Sequence, residues 1–112
     1  MKTLIFDQFE FDIPDSEERL EVSISLRRDV PHPTVSAFAA QFGAQHRLGT
    51  SVLFCSNFYF SDDARYLRDL AMIDVPADCS WPCYVMLDEP GDRWLILDAG
   101  SAFISYRWSS SA

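Results

Sequence analysis

Apolar and polar positions divide this chain into short segments, and the period within each segment predicts its conformation. Thr3-Leu4-Ile5-Phe6 suits a first short strand, and Phe9, Phe11 and Ile13 then alternate with Glu10 and Asp12 as a half-buried β pattern that Pro14 ends. Asp15-Ser16-Glu17-Glu18 reads as an exposed acidic turn. Leu20, Val22, Ile24 and Leu26 alternate with Glu21, Ser23 and Ser25, the cleanest two-residue period in the chain. This period predicts a strand whose other face (Arg19, Glu21, Ser23, Ser25) is wet. Together the two segments predict a hairpin with an acidic loop.

The middle of the chain changes period. Asp29-Val30-Pro31-His32-Pro33 disfavours helix, because each proline restricts itself and the residue before it. From Thr34 to Phe42 the composition turns helical, with Val35, Phe38, Ala39 and Phe42 at i, i+3, i+4 and i+7 on one face. Pro33 fits the start of this helix and Gly43 its end. Val52 to Phe60 (VLFCSNFYF) is apolar and β-rich, which predicts a central strand covered on both faces. Ser61 then suits an N-cap, with Asp62 and Asp63 in the first turn, where the helix dipole favours anions. That helix is expected to run through Ile73, burying Tyr66 or Leu67, Leu70 and Ile73, until Asp74-Val75-Pro76 stops it.

Cys83 to Trp108 holds three short apolar runs rich in Val, Ile, Tyr, Phe and Trp. Two turn signals separate them, Asp88-Glu89-Pro90-Gly91-Asp92 and Asp98-Ala99-Gly100-Ser101. The segment predicts an antiparallel three-stranded meander. Five or six strands and two helices, with strands first, helices in the middle and a meander last, predict an α+β fold with a mostly antiparallel sheet. The 112 residues fit one domain over 1–108, with Ser109 to Ala112 as a flexible tail.

Composition narrows the functional classes. Nine Phe, four Tyr and three Trp are enough to fill a core of this size. The net charge of −8 disfavours contact with a phosphate backbone and favours basic partners. No acid falls between Asp29 and Asp62, so the negative charge lies at the two ends and on the second helix. No run of about 18 apolar residues occurs and the N-terminal segment meets acid at Asp7, so neither a membrane span nor a secretory leader is expected. Three cysteines, an odd number, suit reduced thiols in the cytoplasm.

Candidate chemistry is sparse. Cys79 and Cys83 are spaced CxxxC, but Cys55, His32 and His46 supply no second close pair for a zinc site, and a redox pair would open a helix. Cys55 with His46 lacks an orienting third group for nucleophilic catalysis. No phosphate loop, HExxH, GxSxG or EF-hand pattern is present. No metal, cofactor or catalytic residue is therefore expected, and the chain reads as a non-enzyme. The acids Asp62, Asp63, Asp88, Glu89, Asp92 and Asp98 occupy turn and cap positions and are expected to face solvent. With Trp81, Trp94, Tyr106 and Trp108 as possible aromatic anchors, they are more credible as a binding surface, although Trp94, inside a strand, suits a core.

The expected partner-binding residues are Asp62, Asp63, Asp88, Glu89, Asp92, Trp81 and Trp108. The expectation is a small acidic cytoplasmic protein that binds and inhibits a basic partner, most concretely an immunity protein blocking a bacterial toxin domain. Two alternatives use other features. One is a phage-type inhibitor whose acids mimic nucleic-acid charge, and the other is a small ligand-binding or homodimeric module whose aromatic last strand pairs edge to edge.

Overall fold

The computed structural model describes residues 1–9, 18–29, 34–43, 52–54, 61–76 and 80–110. Among them, six strands build one sheet: β1 (Lys2–Phe9), β2 (Glu18–Leu26), β3 (Val52–Leu53), β4 (Pro82–Glu89), β5 (Asp92–Asp98) and β6 (Ala102–Ser110). Every pairing is antiparallel, and the spatial order is β1-β2-β6-β5-β4-β3. Two α-helices, α1 (Val35–Ala40) and α2 (Ser61–Asp69), complete the α+β arrangement. Among the described residues, no helix is long and apolar enough to cross a membrane.

Alternation along the strands gives the sheet two apolar faces, and each takes one helix. Leu20, Val22, Leu95, Leu97, Ile104 and Tyr106 share one face and pack with Ala64, Tyr66, Leu67 and Ala71 of the α2 region. Ile96 and Phe103 point the other way and pack with Phe38 and Ala39 of α1, with Val35, Phe42 and Trp94 at the margin. The helix face expected from Val35, Phe38, Ala39 and Phe42 is therefore the one that docks. Thr34 caps α1, its hydroxyl accepting from the Ala37 N–H at 3.1 Å. α2 ends at Asp69, before the expected Ile73, and Met72 then takes a left-handed conformation (φ 56°) as the chain turns away. Arg68 holds that turn by donating to the carbonyls of Val75 and Pro76.

Several expectations change. β1 is one eight-residue strand reaching Phe9, paired with β2 as the expected hairpin. Residues 10–17, with all of the acidic turn but Glu18, lie outside the described residues, and Glu18 is not exposed as expected but opens β2 and is buried. Ser23 and Ser25 are buried, not wet. Hydroxyls are small enough to sit beneath neighbouring side chains, and Ser23 bonds across the hairpin to Thr3 at 3.0 Å. Of the apolar run from Val52, only β3 is described as strand. It lies at the sheet's edge with its residues 44% and 51% exposed, so these two residues do not form a covered central strand. Phe54, the next residue, is fully buried, and residues 55–60 lie outside the described residues. β6 continues through Ser109 and Ser110, half of the expected tail, because both pair with β2. β6 also runs between β2 and β5, so the aromatic last strand has no free edge to offer a second copy.

The β4–β5 turn closes tightly. Gly91 has φ +80°, and a Cβ there would stand 3.0 Å from the Ser110 carbonyl oxygen. Its own carbonyl accepts from the Ser110 N–H at 2.8 Å. Gly91→Ala is expected to cost about 1–2 kcal/mol, since it combines left-handed strain with a backbone contact that cannot yield cheaply. Urea unfolding of the variant measures this, and an unchanged midpoint would refute it.

Candidate functional site

Three polar residues fall in phase with the apolar face that α2 covers. On α2, Asp63 precedes Leu67 by four residues and Leu70 by seven, so it heads the buried stripe. On β5, Arg93 shares a face with Leu95 and Leu97, and on β6, Tyr106 shares one with Ile104. The three meet where α2 begins. The Tyr106 hydroxyl donates to Asp63 Oδ1 at 2.7 Å, and Arg93 Nη1 donates to Asp63 Oδ2 at 2.7 Å. Arg93 Nε reaches on to Asp88 Oδ1 of β4 at 3.4 Å. One arginine thus ties the start of α2 to the β4–β5 hairpin.

Electrostatics follow from burial. Asp63 is only 2% exposed, and desolvation pushes its carboxyl above the ordinary 3.8 even though Tyr106 and Arg93 favour the charged form. Tyr106 is fully buried, and desolvation with the nearby Asp63 charge raises its phenol well above 10. Cys83 is fully buried on the same face. Desolvation, with Asp63 adding to it, pushes its thiol up to about 12, which makes it unreactive packing. Its partner in the CxxxC spacing, Cys79, lies outside the described residues, as do Cys55, His32 and His46.

The expected contact residues separate into groups. Asp62 is exposed and pairs with Arg65 one turn along at 3.4 Å. Asp88 and Glu89 are exposed at the hairpin tip. Arg93, through Asp63, places Asp62 and this tip on either side of one junction. Asp63 is not solvent-facing as expected: the helical period turns it inward while Asp62, one residue earlier, points out. Asp92 pairs across from Glu89, which puts both on the α1 face; Asp92 Oδ2 accepts from Arg107 Nη2 at 3.2 Å, and its Oδ1 is buried without a hydrogen bond among the described residues. Trp81 is half-buried against the α2-side core. So is Trp108, whose indole N–H is buried without a hydrogen-bond partner among the described residues. Tyr106, weighed as a surface anchor, is core. Trp94, expected in the core, is half-buried at the margin of the α1-side core and donates its indole N–H to Ser105 Oγ at 2.9 Å. Asp98, also weighed as surface charge, accepts from Arg27 Nη2 at 2.7 Å and from the Gly100 N–H at 2.9 Å, closing the β5–β6 turn.

Sequence reasoning overlooked Arg93 and gave Tyr106 the wrong place. The signal was available: each stands at an even offset from buried apolar residues of its own strand. Comparison with known proteins adds no relative to this geometry, because no protein-family model, curated protein or solved structure matches the chain.

Proposed function

We propose that this chain is a small acidic cytoplasmic inhibitor that binds a basic protein partner, most concretely an immunity protein that neutralises a bacterial toxin by direct contact. The observation that carries the reading is the junction at which Asp62, from the start of α2, and Asp88, from the β4–β5 hairpin, are presented on either side of Arg93, with Glu89 next to Asp88 at the hairpin tip. Two exposed carboxylates, Asp62 and Asp88, on two elements held by one ion-paired clamp form a pre-organised anionic surface that Glu89 extends at the hairpin tip, and pre-organisation reduces the entropy lost on binding. The buried carboxylate beneath them supports binding over catalysis: both Asp63 oxygens are engaged, by Tyr106 and Arg93, so neither is open to a reacting group.

Purification of the tagged protein from its native cells is expected to retain one basic protein. Asp62→Lys, Asp88→Lys and Glu89→Lys combined are expected to slow association on the order of tenfold at low salt and less at high salt, with the dissociation rate changing less. No retained partner, or association indifferent both to salt and to these changes, would sink the proposal.

A further inference from the structure

Among the described residues, α1 covers only part of its face of the sheet. Where β2 and β6 run beyond α1, Arg19 lies across from Ser109 and Glu21 across from Arg107, all four on the same face. These four line a depression of about 230 Å3. The arginines occupy diagonal corners, with Ser109 between them at a third.

Both guanidinium groups retain unused donors. Arg19 stands 3.8 Å from Asp7 and 3.7 Å from Glu21, too far for hydrogen bonds, and its side chain is 50% exposed. Arg107, 49% exposed, donates through Nη2 to Asp92 at 3.2 Å and lies 5.4 Å from the centre of the Trp94 ring. Exposed ion pairs at such distances contribute little to stability, so the fold alone gives weak reason for two arginines to meet at this place. Among the described residues, the depression is lined by two cations and one carboxylate, Glu21, with Asp7 and Asp92 at its margin beside the arginines.

We infer that this depression is a binding site for a small, singly charged carboxylate. The planar fork of each arginine matches a carboxylate, and the Ser109 hydroxyl can add a third donor beside them. Glu21, Asp7 and Asp92 flank the arginines and repel a second negative charge, which selects a carboxylate over a doubly charged sulfate or phosphate. The site is independent of the Asp62–Asp88 junction, since it lies on the opposite face of the sheet from Asp63.

The test is a titration of the protein with sodium acetate, followed by 1H–15N NMR of the arginine Nε–Hε groups. Sodium chloride and sodium sulfate at matched ionic strength serve as controls. Acetate is expected to give saturable shifts at Arg19 and Arg107 that chloride does not reproduce, with sulfate binding more weakly. Arg19→Gln and Arg107→Gln, with backbone amide spectra confirming the fold, are each expected to weaken acetate binding at least fivefold. Shifts that fail to saturate, tighter binding of sulfate than acetate, or acetate binding that survives both substitutions together would overturn the inference.

Discussion

Asp63→Ala is expected to destabilise the protein by about 3 kcal/mol in urea unfolding, a large loss for a residue in the acidic first turn of a helix. Removing one member of a buried ion pair leaves the other charge uncompensated, which typically costs about 3–5 kcal/mol. Arg93 is 19% exposed and keeps Asp88 at 3.4 Å, so the lower end applies. The Tyr106 hydroxyl, fully buried, also loses its acceptor. Tyr106→Phe removes only that hydroxyl and its bond and is expected to cost about 1 kcal/mol. The pair of substitutions should then be non-additive, because Asp63→Ala already strands the hydroxyl. The pH dependence has a definite sign. Burial raises the folded-state pKa of Asp63 above 3.8, so folding favours its protonated form. The stability this contributes is fully present below about pH 4 and is lost as pH rises through the folded-state value. Wild type is therefore expected to gain on Asp63→Asn, which cannot titrate there, as the solution is acidified. A loss below 1 kcal/mol for the alanine variant, or an opposite pH trend, would refute this account of the junction.

The same residues show what was legible from sequence. Local period was enough for β2, the α1 face, the β1–β2 pairing and the meander, because each depends on partners at most 22 residues apart across a single connection. The inward turn of Asp63 was also legible, since Leu67 and Leu70 set the phase, but the capping preference of acids at a helix start dominated the reading. Both effects are real: Asp62 shows the surface outcome and Asp63 the buried one. The union of the hairpin with the meander was harder. It depends on β2 pairing with β6 more than 75 residues away, and apolar alternation alone does not say which strands become neighbours. One clue was present, since Ala102-Phe103-Ile104-Ser105-Tyr106 carries no charge and is buried throughout, as a central strand requires. β3 failed for the converse reason. An apolar run signals burial of something nearby, here Phe54, without establishing that the strand itself is interior.

Phe103→Ala is expected to give the larger loss, about 3–5 kcal/mol, and to fall unequally on the two helices. Phe103 is fully buried, and its ring stacks on Phe38 at 5.5 Å with 28° between planes. Phe38 in turn meets Phe42 edge-on at 5.2 Å, and Phe42 meets Trp94 at 6.4 Å. Arg27 closes the other side, its guanidinium 4.5 Å from the centre of the Phe103 ring. This aromatic group is what holds α1, whose six residues are far fewer than the roughly 12–15 at which an isolated helix becomes even marginal in water. α2 rests on the opposite face and packs on Leu95, Leu97, Ile104 and Tyr106, which the substitution leaves in place. Hydrogen exchange separates the two consequences. The α1 amides of Phe38, Gln41 and Phe42, bonded to the carbonyls of Thr34, Phe38 and Ala39, are expected to lose protection through local opening. The Leu70 and Ile73 amides, bonded to Tyr66 and Leu67, are expected to fall only with global stability. Ile104→Ala, on the other face of the same strand, should reverse the pattern by loosening α2 first. Equal loss of protection in both helices for both variants would mean that the faces unfold as one unit, and that α1 does not depend on Phe103 in particular.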